Sequence, residues 1–183
     1  MYREEATDST IVTICTANRD RQGSEDAGRA CARGSQVILY IDTSALVKLY
    51  AREAGTTEVQ RAVANAEQIA TSLIAYVETR SALARKYRLD QVDDAALQRH
   101  KREFERDWAQ LYRLPMDVTT VRRAAELAEQ HRLRAYGAVH LATADLLQAA
   151  IRAPVAFACF DNALNEAALR LDLKLITDGW LVS

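Results

Sequence analysis

The sequence predicts an α/β fold, an α/β/α sandwich built around a mostly parallel central sheet. Three observations carry this expectation. Continuous apolar, β-branched runs at residues 37–41 and 155–160 are of the kind buried on both faces of a parallel sheet. Segments of helical period alternate with such runs from residue 37 onward. Acidic residues, Asp42 and Asp161, stand directly after the two strongest runs, where the chain leaves the sheet.

The elements follow in order. After the strand at 37–41, Thr43 and Ser44 are placed to cap a helix to about residue 51, and Thr56 and Thr57 open another to about 66. A short strand at 68–71 leads to Ser72, a potential cap for a helix over 73–88. Residues 93–112 read as a long amphipathic helix with Leu97, Phe104, Trp108 and Leu111 on one stripe. Following Pro115, a strand is predicted at 116–118, then helices at 119–131 and 136–151, the second apolar almost all round and so buried. Pro154 ends it, and the strand at 155–160, a helix at 162–171 and a last strand at 173–176 complete the pattern. Residues 1–36, with Gly23, Gly28 and Gly34 among scattered charges, lack a sustained period. They read as a disordered extension ahead of one folded domain spanning 37–183.

Composition narrows the class. A chain of 183 residues is one domain in length, and 49% apolar with 27% charged residues is ordinary for a soluble globular protein. No apolar run approaches the roughly 18–20 residues of a membrane span, and the polar start does not resemble a secretory signal. Three cysteines (Cys15, Cys31, Cys159) without metal spacing fit a reducing, cytoplasmic setting. A net charge of −1 does not mark a nucleic-acid binder, but the distribution is uneven. Arg80, Arg85, Lys86 and Arg88 cluster without an intervening acid, as a surface tracking a phosphate backbone would. A solvated helix face laced with Glu103 and Glu105 explains the same charges.

Asp42 and Asp161 are candidates for a site by position, although either could simply cap the helix that follows. Glu78 lies two turns inside a helix on a largely uncharged face, too deep to cap it. It therefore calls for a compensating cation or metal. Grouped carboxylates are hard oxygen ligands suited to Mg²⁺ or Mn²⁺, and a metal so held supports phosphodiester hydrolysis. His140, inside the buried helix, reads as a satisfied core histidine rather than a ligand. No Gly-rich phosphate loop or Ser–His–Asp arrangement competes.

The segment Leu39-Tyr40-Ile41-Asp42-Thr43-Ser44-Ala45-Leu46-Val47-Lys48-Leu49-Tyr50 resembles the opening motif of PIN-domain proteins, above all the VapC toxins of type II toxin–antitoxin systems. The likeness continues through Thr71-Ser72 to Glu78, resumes over residues 133–144, and ends with Phe160-Asp161-Asn162, covering about 37–177. The resemblance implies a PIN fold, Mg²⁺- or Mn²⁺-dependent endoribonuclease activity on RNA, homodimerisation and neutralisation by a VapB-like antitoxin. It maps Asp42, Glu78 and Asp161 onto three of the family's four metal-site acids, and Thr43 or Ser44 onto the hydroxyl beside the first. At the fourth position this chain has Gly137, which offers no ligand, so a module that binds RNA or antitoxin without cutting is the alternative. Asp145, eight residues on, lies about 12 Å further along the helix and cannot substitute.

Overall fold

The computed structural model describes residues 37–176. The predicted extension at 1–36, with Cys15 and Cys31, and the last residues of the predicted domain lie outside that range. Five strands form one sheet: β1 (Ile38–Ile41), β2 (Gln68–Ser72), β3 (Tyr112–Leu114), β4 (Val155–Ala158) and β5 (Lys174–Leu175). Their order is β3-β2-β1-β4-β5, and every pairing is parallel. Seven α-helices connect them: α1 (Thr43–Leu46), α2 (Thr56–Asn65), α3 (Ile74–Arg88), α4 (Asp94–Trp108), α5 (Val118–His131), α6 (Ala135–Ile151) and α7 (Asn162–Leu169).

Alternation along β1 explains the layers. Leu39 and Ile41 point into a core with Leu46, Val59, Leu83 and Phe104, so α1 to α4 cover that face. Tyr40 points the other way, into a core with Leu127, Leu141, Phe157 and Leu164 from α5, α6, β4 and α7. Both faces are therefore dry, which is why β1 and β4 carry apolar runs rather than alternating patterns. The sequence expectation of an α/β/α sandwich holds.

Several boundaries differ from expectation for physical reasons. The third strand is Tyr112–Leu114, not 116–118. Pro115 ends it rather than preceding it, and Met116 and Asp117 lead into α5. Asp117 caps that helix by accepting from Thr120 N at 2.8 Å. The helix expected over 93–112 stops at Trp108, and Leu111 is buried from the following turn. Asp42 itself, not Thr43 or Ser44, caps α1, which passes into a 3₁₀ turn at Val47–Leu49. Ser72 ends β2 and does not cap α3.

The strand order places the site. Going from β1 the chain adds β2 and β3 on one side, then returns to add β4 and β5 on the other, so the order reverses between β1 and β4. The carboxyl ends of strands flanking such a reversal bound a crevice. Asp42 follows β1 directly, and Asp161 lies three residues beyond β4.

Candidate metal centre

Asp42, Glu78 and Asp161, from the ends of β1 and β4 and the middle of α3, line one cleft of about 1280 Å³. The loops bearing two of them are stitched together. Asp42 N donates to Ala158 O at 3.0 Å, and Phe160 N donates to Ser44 Oγ at 2.8 Å. Ser44 Oγ in turn donates to Asp42 Oδ1 at 2.6 Å, which also accepts from Ala45 N at 3.1 Å. The Cys159 thiol reaches the second oxygen, Oδ2, at 3.5 Å. Asp42 is 6% exposed, and that burial raises its carboxyl above the ordinary range, with His140 and the Ser44 hydroxyl pulling it back only in part. Burial beside Asp42 likewise raises the Cys159 thiol, so it stays protonated and acts as a donor.

Glu78 is compensated by partners remote in sequence. His140 Nε2 lies 2.9 Å from Glu78 Oε2, and Thr43 Oγ1 donates to the same oxygen at 2.7 Å. A carboxylate only accepts, so the imidazole presents its N–H at Nε2 and, in the neutral tautomer, accepts a hydrogen bond from the Tyr40 hydroxyl on Nδ1 at 3.0 Å. Burial pushes Glu78 upward, but the bonds from His140 and Thr43 outweigh it and leave its carboxyl below the ordinary value. His140 is thus a satisfied core histidine, as expected. Its partner is a site acid, which the sequence reading did not foresee. Asp161 is exposed, and its Oδ1 caps α7 by accepting from Leu164 N at 3.1 Å.

Gly137, in the first turn of α6, lines the same cleft. A Cβ built there meets only Leu164 Cδ1 and Cδ2 at 3.7 Å, ordinary contact, so a side chain fits. Asp145 faces elsewhere, pairing with Arg123 Nε of α5 at 2.8 Å. Asn165 spends its amide nitrogen on Cys159 O at 3.2 Å and does not line the cleft.

Of the basic residues read from the sequence, Arg85 and Lys86 line the cleft and Arg80 does not. Arg80 is bound to Glu105 and lies over the Tyr76 ring, joining α3 to α4. The reading missed Lys48, Arg132 and Arg134, which also line the cleft. Lys48 is hidden in the apolar run Leu46-Val47-Lys48-Leu49, and the two arginines sit in the α5–α6 connection. A second groove of about 620 Å³, near the amino ends of β1 and β2, holds one carboxylate, Asp117, already used as a helix cap.

The donor chemistry fits a hard divalent cation. Among the described residues Glu78 Oε1 and Asp161 Oδ2 accept no hydrogen bond, and Asp42 Oδ2 accepts only the weak one from the Cys159 thiol. Yet among those residues no three His, Cys, Asp or Glu side chains are grouped closely enough to form a metal-holding cage by themselves. A cation that keeps part of its water shell, as Mg²⁺ does, is held by one or two carboxylates together with substrate phosphates and needs no such cage.

A parallel sheet with Asp42 and Asp161 beyond the two strands flanking its reversal has the crevice of an open α/β fold at that point. The PIN domain family profile matches residues 39–177. The chain therefore belongs to the PIN domain family, as its sequence pattern implied. It is 34% identical over 107 residues to Ribonuclease VapC45 of Mycobacterium tuberculosis strain CDC 1551 / Oshkosh, a stretch covering 58% of this chain and 74% of the relative. The same figures hold for Ribonuclease VapC49 of strain H37Rv. Among solved structures, PAE2754 from Pyrobaculum aerophilum superposes with a TM-score of 0.52 at 20% identity, covering 82% of this chain and 91% of that one, a likeness of fold.

Proposed function

We propose that this chain is a VapC-type toxin, a ribonuclease that hydrolyses RNA phosphodiester bonds with Mg²⁺ or Mn²⁺ held by Asp42, Glu78 and Asp161. The observation that carries the reading is that these acids, from three separate elements, line one cleft at the β1/β4 reversal, together with Arg85, Lys86, Arg132 and Arg134. Among the described residues none of those three arginines enters an ion pair, so they remain available to phosphates. The ribonuclease names of the two mycobacterial relatives support the same reaction.

Held by Asp42, Glu78 and Asp161, a divalent cation would supply positive charge to the scissile phosphate and would acidify water near it. The protein residues do the rest. Ser44 and the Ala45 amide hold Asp42, and His140 with Thr43 holds Glu78 so that its Oε1 faces the cleft unencumbered. The basic rim orients the backbone, and hydrolysis without a 2′-hydroxyl nucleophile leaves 5′-phosphate and 3′-hydroxyl ends. Val77 and Tyr136, 62% and 58% exposed, line the cleft beside these charges and suit contact with a protein antitoxin. A homodimer working in the cytoplasm completes the proposal. No helix among the described residues is long and apolar enough to cross a membrane.

Gly137 favours a second reading, a module that binds RNA or antitoxin without cutting. Incubation of RNA with the parent, Asp42→Ala and Gly137→Asp in Mg²⁺ or Mn²⁺, against EDTA, separates the two. Cleavage by the parent that is lost in Asp42→Ala supports the ribonuclease. An inert parent revived by Gly137→Asp supports the binding module, and three inert proteins that still fold and bind metal defeat the nuclease reading.

A further inference from the structure

Lys48 has an uncommon position for a lysine. Its side chain is 9% accessible, its ammonium lies 4.3 Å from the Phe160 ring centroid, and it bonds Glu53 Oε1 at 2.7 Å. The other oxygen of the same carboxylate, Oε2, takes Lys86 Nζ of α3 at 2.5 Å. Two ammonium groups from separate elements thus converge on one carboxylate, leaving a net positive charge. All three side chains and Phe160 line the cleft that holds Asp42 and Asp161. The carboxylate is carried on a fixed loop. Glu53 N donates to Thr56 Oγ1 at 3.0 Å, and that hydroxyl donates to Lys48 O at 3.2 Å. Gly55 at φ +88° leaves room for the Phe160 ring against the same loop.

Burying an ammonium is a poor way to fasten a loop, since a well-packed apolar residue does so at least as well. A lysine pair aimed into a cleft and bridged by a carboxylate is instead what an oxyanion site looks like when a protein group stands in for the ligand.

We propose that Lys48 and Lys86 form a subsite for an RNA phosphate beside the one cleaved, and that Glu53 is its resting counter-ion, released from Lys86 when the phosphate enters. The subsite rests on the ribonuclease reading above and adds to it both a place for the substrate and a built-in competitor. Glu53 weakens RNA binding by occupying the cations the backbone needs.

The test reads binding without cleavage. A fluorescein-labelled single-stranded RNA of mixed sequence is titrated by anisotropy in EDTA at several salt concentrations, with the parent, Glu53→Gln, Lys48→Met, Lys86→Met and Glu126→Gln. Glu126, on α5 outside the cleft, controls for net charge, because its change alters the total equally. Glu53→Gln should tighten binding about three- to five-fold, the scale of losing one partly exposed ion-pair competitor, and Glu126→Gln should not. Lys48→Met and Lys86→Met should each weaken binding and lower the salt slope by about 0.7 per lost phosphate contact. Lys86→Met, at the more exposed end, decides the matter if Lys48→Met does not fold. A parent that binds RNA with an affinity indifferent to these changes, or that responds equally to Glu126→Gln, overturns the subsite and leaves the ribonuclease reading standing. A parent that binds no RNA overturns both.

Discussion

Replacing Gly137 by Asp puts a carboxylate in the third position of α6, in the wall of the cleft lined by Asp42, Glu78 and Asp161. The backbone allows it, because Gly137 does not occupy the left-handed region and a Cβ there touches only Leu164 methyls at 3.7 Å. Replacing a helical glycine gains up to about 1 kcal/mol with Ala but only about 0.3 kcal/mol with Asp, which ranks next to glycine in helix propensity. A first-turn acid adds about 0.3–1 kcal/mol by facing the helix N-terminus. Repulsion from the acids already present offsets this, so the metal-free variant should melt within about 4 °C of the parent. With metal the balance changes. A tenfold tighter Mn²⁺ site adds about 1.4 kcal/mol under saturating conditions, or about 3–5 °C beyond the parent's own metal-induced shift. Titration calorimetry and thermal melts against Mn²⁺ read this directly, with Gly137→Asn supplying the shape without the charge and Gly137→Ala the helix gain alone. If Asp and Asn bind Mn²⁺ equally, position 137 does not address the metal and the reasoning fails.

Four further outcomes are expected. Asp42→Asn should raise the metal-free melting temperature at pH 7 by about 2–4 °C, or about 1 kcal/mol, while abolishing cleavage and the Mn²⁺-induced shift. Asn keeps the cap, and the raised carboxyl of Asp42 contributes stability only below its unfolded range, lost as pH rises through the folded value; an unchanged or lower melting point counts against this. His140→Ala should cost about 1–3 kcal/mol by stranding Tyr40 and Glu78, and should lower kcat for RNA cleavage more than it changes KM, with His140→Gln recovering part; a KM effect alone would contradict the positioning role. The carboxyl of Glu53 feels burial upward but is held low overall by Lys48 and Lys86. Its stabilisation is therefore present above the unfolded range, about pH 4, and disappears as pH falls through the lower folded value. The melting-temperature gap between the parent and Glu53→Gln should narrow progressively as pH falls below about 4, and a gap independent of pH in that range refutes it. Gly55→Ala should cost about 1–3 kcal/mol, because its Cβ falls 2.2 Å from Phe160 Cε1 on a backbone at φ +88°; a neutral melting curve would show that the loop relaxes freely.

The sandwich was legible because its strongest signals are local. Two-sided burial writes β1 and β4 as apolar runs, the period of α5 is set by the core it covers, and α6 is apolar almost all round because it is buried. Where the reading slipped, the pattern was shared by two conformations. Leu111 continues the apolar stripe of Leu97, Phe104 and Trp108 and is buried like them, yet it sits on the turn after the helix. A hydrophobic period cannot register that change. Pro115 fits either side of a strand, and only the pairing of Thr71 with Arg113 and Ser72 with Leu114 decides which.

The site divides along the same line. Asp42 and Asp161 were visible because each is next to, or three residues from, a strand end, and both also serve as caps. The capping and site readings were never exclusive, since the backbone bond engages only one oxygen of each carboxylate and both residues line the cleft. The partners that set the acids' chemistry were not visible. His140 acts on Glu78 across 62 positions, and Cys159 on Asp42 across 117. Lys48 spends its aliphatic stem in the core and its ammonium in the cleft, so its neighbours in sequence describe only the stem. A single chain therefore announces which carboxylates stand at the crevice, because strand ends are local features. It conceals what holds them there, because that work is done by residues whose own surroundings in sequence are those of an ordinary core.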